Sequence, residues 1–141
     1  MIENKQINSV YVEKSIIVDL NNVLLDDKDA EGKAKLQNID LINEVLRSHG
    51  YTKIILITSS KFIERVNNRN TYKKMVKERK IHVAPALDDN DWYILELAKD
   101  LNCNVLSNDK YDDYWDEFGE DWVKKKRKTF MLIEGKLIIK M

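Results

Sequence analysis

The chain has 141 residues, 43% of them apolar and 34% charged, with 24 lysines and arginines set against 24 aspartates and glutamates. That length suits one domain, residues 1–141, large enough to bury roughly two thirds of its unfolded surface around a single core, and the composition excludes a disordered or fibrous chain. Net neutrality excludes a globally basic nucleic-acid binder, so a polyanion would have to meet a local patch.

In chain order, the apolar run Ser15-Ile16-Ile17-Val18 predicts a buried strand over residues 15–20. The spacing of Leu36, Ile39, Leu41, Ile42, Val45 and Leu46 predicts a helix over 35–49, ended by Gly50. Lys53-Ile54-Ile55-Leu56-Ile57-Thr58 is the next strand, continuously apolar as expected when helices cover both faces of a parallel sheet. A helical region runs from Lys61 to about Arg79, and its polar middle, Asn67-Asn68-Arg69-Asn70, predicts a break into two short helices. Residues 81–84 form a short strand stopped by Pro85, residues 91–98 have helical spacing, and residues 103–107 return to a strand. Residues 129–133 and 136–140 flank Glu134-Gly135 as a tight hairpin. This alternation predicts a three-layer α/β/α sandwich with a mostly parallel, Rossmann-like sheet and a C-terminal hairpin.

Four acids fall at informative places in that plan. Asp19 ends the first strand, Asp91 opens the helix before the 103–107 strand, Asp109 follows that strand, and Asp113 lies one helical turn further on. Open parallel sheets bind ligands beyond the carboxyl ends of their strands, so the four can meet at one edge. Carboxylates without histidine or cysteine neighbours are hard oxygen ligands, suited to Mg²⁺ or Mn²⁺. Several like charges at one locus imply a compensating cation, and such a cation supports phosphodiester hydrolysis. Taken singly, each aspartate also has a plainer role as a turn or helix cap. His49 and His82 are far apart with no cysteine pair beside them, so no zinc site is expected. Cys103 is the only cysteine, which excludes an internal disulfide and suggests a buried thiol in a reducing, cytoplasmic setting. No run approaches the length of a membrane span, and Met1-Ile2-Glu3-Asn4-Lys5 lacks the apolar core of a signal peptide.

Val18-Asp19-Leu20-Asn21-Asn22-Val23 resembles the V-I-D-G-S-N-V segment of NYN domains. Asp91-Trp92-Tyr93-Ile94-Leu95-Glu96-Leu97-Ala98, followed after eight residues by Ser107-Asn108-Asp109-Lys110-Tyr111-Asp112-Asp113, resembles the D-R-F-I-x-x-L-A and S-N-D-x-Y-x-D pair of the same domains. The resemblance covers roughly residues 15–140 and is to the PIN-like NYN ribonucleases, in particular the branch found in CCCH zinc-finger ribonucleases. It implies a metal-dependent endoribonuclease acting on RNA, most simply single-stranded, with Asp19, Asp91, Asp109 and Asp113 as the acidic metal site. Asn22, Asn90 and Asn108 would stand around it, and the products would include a 5′-phosphate. This chain departs from the pattern in having Leu20-Asn21 where the family has Gly and Ser, with Leu20 expected to point into the core. It also has Asn90-Asp91 in place of paired aspartates, with Asp88 and Asp89 just upstream. The zinc finger and the basic loop before the aspartates have no counterpart, so a second copy or a protein partner is expected to supply target choice.

Lys124-Lys125-Lys126-Arg127-Lys128 is the obvious phosphate-binding run, read here as a helix end, with Lys124, Lys125 and Arg127 as contacts. Lys61 and Lys110 are further candidates at the sheet edge. The acidic stretch from Asp112 to Asp121 can pair with those bases or repel RNA. Trp92, Trp115 and Trp122 can stack on bases, but the spacing of Trp115, Phe118 and Trp122 favours a buried stripe. Two rival functions remain. Residues 16–25 resemble the D-x-D-x-T motif of haloacid-dehalogenase-type phosphatases, except that Asn21 replaces the second aspartate and an amide cannot transfer the proton. The other rival is a PIN-like module that binds RNA without cutting it.

Overall fold

The computed structural model describes residues 13–85 and 89–141. Asp88 and residues 1–12, the segment expected to lack a signal peptide, lie outside them.

Among the described residues, six strands form one sheet in the order β3-β2-β1-β4-β5-β6. These are β1 (Ser15–Asp19), β2 (Lys53–Thr58), β3 (His82–Val83), β4 (Asn104–Leu106), β5 (Arg127–Ile133) and β6 (Lys136–Lys140). All neighbours are parallel except β5 and β6, which pair antiparallel. From β1 the chain builds outward through β2 and β3, then returns to the other side of β1 with β4. That reversal makes a topological switch point between β1 and β4, where an open α/β sheet has its crevice.

Helices cover both faces, as the apolar strands anticipate. Ile16, Val18, Leu56 and Leu106 pack on one face against Leu20, Val23 and Leu24 of α1 (Leu20–Leu24), Ile39, Ile42 and Leu46 of α2 (Asn38–Ser48), and Tyr72 of α3 (Arg69–Lys77). Ile17, Ile57 and Val105 pack on the other face against Ile94, Leu95 and Ala98 of α4 (Asn90–Leu101). The same layer receives the one-turn α5 (Trp115–Phe118) and α6 (Glu120–Lys126). Trp115, Phe118 and Trp122 are partly buried against this second cluster, and Phe118 stacks on Trp122 with ring centroids 6.1 Å apart. Among the described residues, no helix is long and apolar enough to cross a membrane.

Several boundaries differ from the sequence expectation, each for a local reason. The first strand stops at Asp19, and Leu20, fully buried, opens α1, which periodicity does not reveal in a one-turn helix. The second helix begins at Asn38 rather than residue 35. Ala34 bridges both Lys28 and Val66, which holds the chain there in strand-like pairing, and residues 35–37 then lead into the helix as a hydrogen-bonded turn, with the Leu36 N–H taken by Asn67 Oδ1 at 2.9 Å. The Lys61–Arg79 region does divide in two: a 3₁₀ turn at Phe62–Arg65, then α3, capped where Asn68 Oδ1 accepts from Thr71 N at 3.1 Å. β5 starts at Arg127, two residues before the predicted hairpin strand, so the basic run is split between the end of α6 and the start of β5. Glu134 (φ 48°) and Gly135 (φ 74°) are both left-handed, the signature of a type I′ hairpin turn.

Candidate active site

Asp19 is the last residue of β1 and faces the α4 layer, alternating with Val18 as strand geometry requires. It is 3% exposed. Its Oδ2 accepts from Ser107 Oγ at 2.9 Å and from Tyr111 Oη at 2.7 Å. Burial raises its pKa, opposed by those two hydroxyls and by the Asn22 backbone N–H, and reinforced by the charge of Asp109. Tyr111 is itself buried and pushed well above the usual phenol value, first by burial and then by the Asp19 charge. The hydroxyl is therefore a committed donor.

The turn after β4 is built around the same two groups. Ser107 Oγ accepts from Asp109 N at 3.0 Å, and Asp109 Oδ1 accepts from Tyr111 N at 2.8 Å. Tyr111 sits at φ 55°, which starts the 3₁₀ turn Asp112–Tyr114 carrying the exposed Asp113. Across the crevice, Asp89 is the N-cap of α4: its Oδ1 accepts from Asp91 N at 2.9 Å, and its Oδ2 accepts a short hydrogen bond from Tyr114 Oη. Asp91 thus lies in the first helical turn rather than at the cap. Its pKa is pushed up to about 7, chiefly by burial and then by the charges of Asp19, Asp109, Asp89 and Asp113. The four predicted acids therefore share one electrostatic neighbourhood, with Asp89 as a fifth.

Among the described residues, no group of three or more His, Cys, Asp or Glu side chains is already drawn into an ion cage. The donor set still suits a hard dication. It is all oxygen, its charge disfavours ionisation of Asp91, and Asn90 Oδ1, next to it in sequence, is buried with no hydrogen-bond partner. A buried acceptor left open beside crowded carboxylates is a cost that a cation removes.

The remaining asparagines hold the frame. Asn22 Oδ1 accepts from Asn108 N at 2.9 Å, tying α1 to the turn after β4. Asn108 donates from Nδ2 to Phe130 O at 2.9 Å and accepts from Phe130 N at 3.0 Å, so its side chain extends the β4–β5 ladder past the last backbone pair. Asn21 accepts from Thr58 Oγ1 at 2.6 Å and donates to Ser59 Oγ at 2.7 Å, which locks the ends of β1 and β2 together.

The basic candidates are dispersed. Lys61 is exposed beyond β2, and Lys110 is exposed beside Asp109. Lys124 is engaged with Glu120 at 3.3 Å and lies over the Trp115 ring, while Lys125 is exposed. Lys126 Nζ donates to Asn102 Oδ1 at 2.9 Å, near the start of β4 and so at the sheet edge opposite the acids. Arg127 reaches the acid side, where Nη1 donates to Ser107 O at 3.4 Å while its Nε is buried without a partner. Both histidines are exposed. Sequence reasoning gave no role to Ser107, Tyr111 or Tyr114, although Ser107 and Tyr111 flank Asp109 at two residues on either side, a spacing suited to side-chain-to-backbone turns.

Proteins of known identity are similar to this chain in sequence or in fold. Proteinaceous RNase P 3 of Arabidopsis thaliana is 24% identical over 139 residues, covering 91% of this chain and 24% of the relative. Proteinaceous RNase P 2 of the same plant is 25% identical over 137 residues, covering 89% and 26% respectively. The chain therefore spans about a quarter of the length of the curated relatives it matches. The solved structure of Arabidopsis thaliana nuclear protein-only RNase P 2 superposes with a TM-score of 0.70 at 19% identity, over 97% of this chain and 32% of that one, a likeness of fold. The Zc3h12a-like Ribonuclease NYN domain matches residues 12–136. A match that begins ahead of β1 and runs through β5 to the first residue of β6 takes in every parallel strand and all the candidate acids, and the chain belongs to the Zc3h12a-like ribonuclease NYN domain family.

Proposed function

We propose that the protein is a metal-dependent endoribonuclease that hydrolyses phosphodiester bonds in single-stranded RNA, with Asp19, Asp91, Asp109 and Asp113 holding Mg²⁺ or Mn²⁺. The observation that carries this reading is the convergence of carboxylate charge on Asp91, which burial and four neighbours push up to about 7. Such crowding is sustained at functional sites and is otherwise avoided. A bound divalent ion would supply Lewis-acid polarisation of the phosphoryl group and activation of water. The chain's own residues do the rest. Ser107 and Tyr111 fix the Asp19 carboxylate by its Oδ2, and the Asp109–Tyr111 turn fixes the second acid against it. Asp91, whose carboxyl burial and its acidic neighbours push up in the metal-free chain, gains most from the cation's charge and would be ionised as its ligand. The net-neutral chain and its dispersed lysines favour target choice through a protein partner or a second copy.

The phosphatase alternative loses its support at Asn21, whose amide is spent on Thr58 and Ser59 rather than turned toward Asp19. The nuclease reading is tested by incubating labelled single-stranded RNA with the protein and Mn²⁺. Cleavage is expected, and Asp109→Asn, which keeps an oxygen for the Tyr111 N–H, should abolish it while leaving the melting temperature within a few degrees. Intact RNA across several sequences would overturn the proposal.

A further inference from the structure

Beside the acids lies a cleft of about 460 Å³ lined by Asp89, Trp92, Tyr93 and Tyr114, a size in the range of small-ligand sites. Among the described residues that line it, Trp92, Tyr93 and Tyr114 are aromatic and only partly buried. Among the described residues, Trp92 and Tyr93 belong to neither core cluster. The rings are also held in place. Trp92 Nε1 donates to Glu117 Oε2 at 2.7 Å, Trp92 and Tyr93 meet edge to face at 5.1 Å, and Tyr114 Oη donates to Asp89. A preset aromatic cleft loses little side-chain freedom when a flat ligand enters it.

The cleft adjoins the candidate active site at Asp89. Asp89 both lines it and accepts from the backbone N–H of Asp91, and Asp91 and Asp113 act electrostatically on Tyr114. The carboxylate at its rim repels phosphate, so the part of a nucleic acid that fits here is a base. We propose that this cleft is a subsite for one unpaired nucleobase adjoining the phosphodiester to be cut, with Trp92 as the stacking platform. The inference rests on the ribonuclease reading and adds a reason for preferring single strands, since a base held in a duplex stack cannot enter. Aromatic stacking tolerates every base, which makes the subsite a selector of unpaired structure more than of sequence.

The test compares binding of fluorescein-labelled octaadenylate with that of an abasic ribose-phosphate octamer by anisotropy in EDTA, alongside cleavage of octaadenylate in Mn²⁺. Wild type should bind the base-bearing strand about tenfold or more tighter, the range expected for stacking one base. Trp92→Leu should lose that preference, and Trp92→Phe, which keeps a ring, should retain most of it. Melting curves of both variants establish that they fold, and Trp92→Phe carries the test if Trp92→Leu does not. Equal affinity of wild type for the two strands, including equally undetectable affinity, overturns the subsite, as does full discrimination by Trp92→Leu. Discrimination that depends on Trp92, with no cleavage by wild type, supports the subsite and overturns only the nuclease reading.

Discussion

Replacing Asp91 by asparagine should stabilise the metal-free protein at alkaline pH and leave it unchanged in acid. In the folded chain the Asp91 carboxyl is pushed up to about 7, by burial first and by Asp19, Asp109, Asp89 and Asp113 after it. In the unfolded chain it titrates near 4. Between those values the folded state holds a proton that the unfolded state has released, so stability falls as pH rises from about 4 to about 7, and the full penalty remains above that. A rise of this size corresponds to roughly 4 kcal/mol at full strength. Asp91 is partly exposed, and solvent screening brings the expected penalty down to about 2 kcal/mol. The Asp91→Asn variant carries no such penalty, so thermal unfolding in EDTA at pH 8 should place it about 4–8 °C above wild type. At pH 4.5 the difference should shrink to about a quarter of that, and at about pH 3 the two should melt together. Adding Mn²⁺ at pH 8 should raise wild type more than the variant, because the cation offsets the repulsion that the substitution has already removed. A melting difference of the same size at all these pH values, or a less stable variant at pH 8, would refute the electrostatic account of the cluster.

Tyr111→Phe removes one of two hydroxyls that favour the ionised form of Asp19. The alkaline-going limb of the cleavage pH profile should move upward, and stability should drop by about 1 kcal/mol in denaturant titration; an unmoved profile would deny Tyr111 a part in setting Asp19. Asn108→Ala deletes both side-chain bonds to Phe130. A loss of about 1–2 kcal/mol is expected, with faster amide hydrogen exchange at Phe130, and unchanged exchange there would mean that the ladder extension is not formed in solution. Asn21→Asp restores the second acid of the phosphatase motif but breaks the donation to Ser59 Oγ. No hydrolysis of a generic phosphomonoester is expected from either wild type or variant, and turnover gained by the variant would bring the phosphatase reading back.

Much of this was written locally. Short continuous apolar runs mark strands covered on both faces and a 3.6-residue period marks helices within each segment, so β1, β2 and α4 were legible, as was the hairpin, whose Glu134-Gly135 turn needs left-handed backbone. The positions of the acids at strand ends were legible for the same reason, although a turn or helix cap accounts for each of them singly, and only their grouping points to a site. The boundaries that slipped depended on distant partners. Residues 35–37 have helical spacing, yet Asn67 takes the Leu36 N–H from across the fold. Likewise β5 begins at Arg127 because β4 lies alongside it.

Strand order is the larger matter that no local pattern holds. The placement of β4 beside β1 rather than beside β3 is a choice among long-range packings, and it decides what surrounds Asp19. Ser107 and Tyr111 stand 88 and 92 residues away along the chain, yet both bond one carboxylate oxygen. The sequence by itself determined which side chains stood at the ends of strands. The tertiary structure decided which ends met, because apolar strands bury equally well against several neighbours and only the packed whole distinguishes among them.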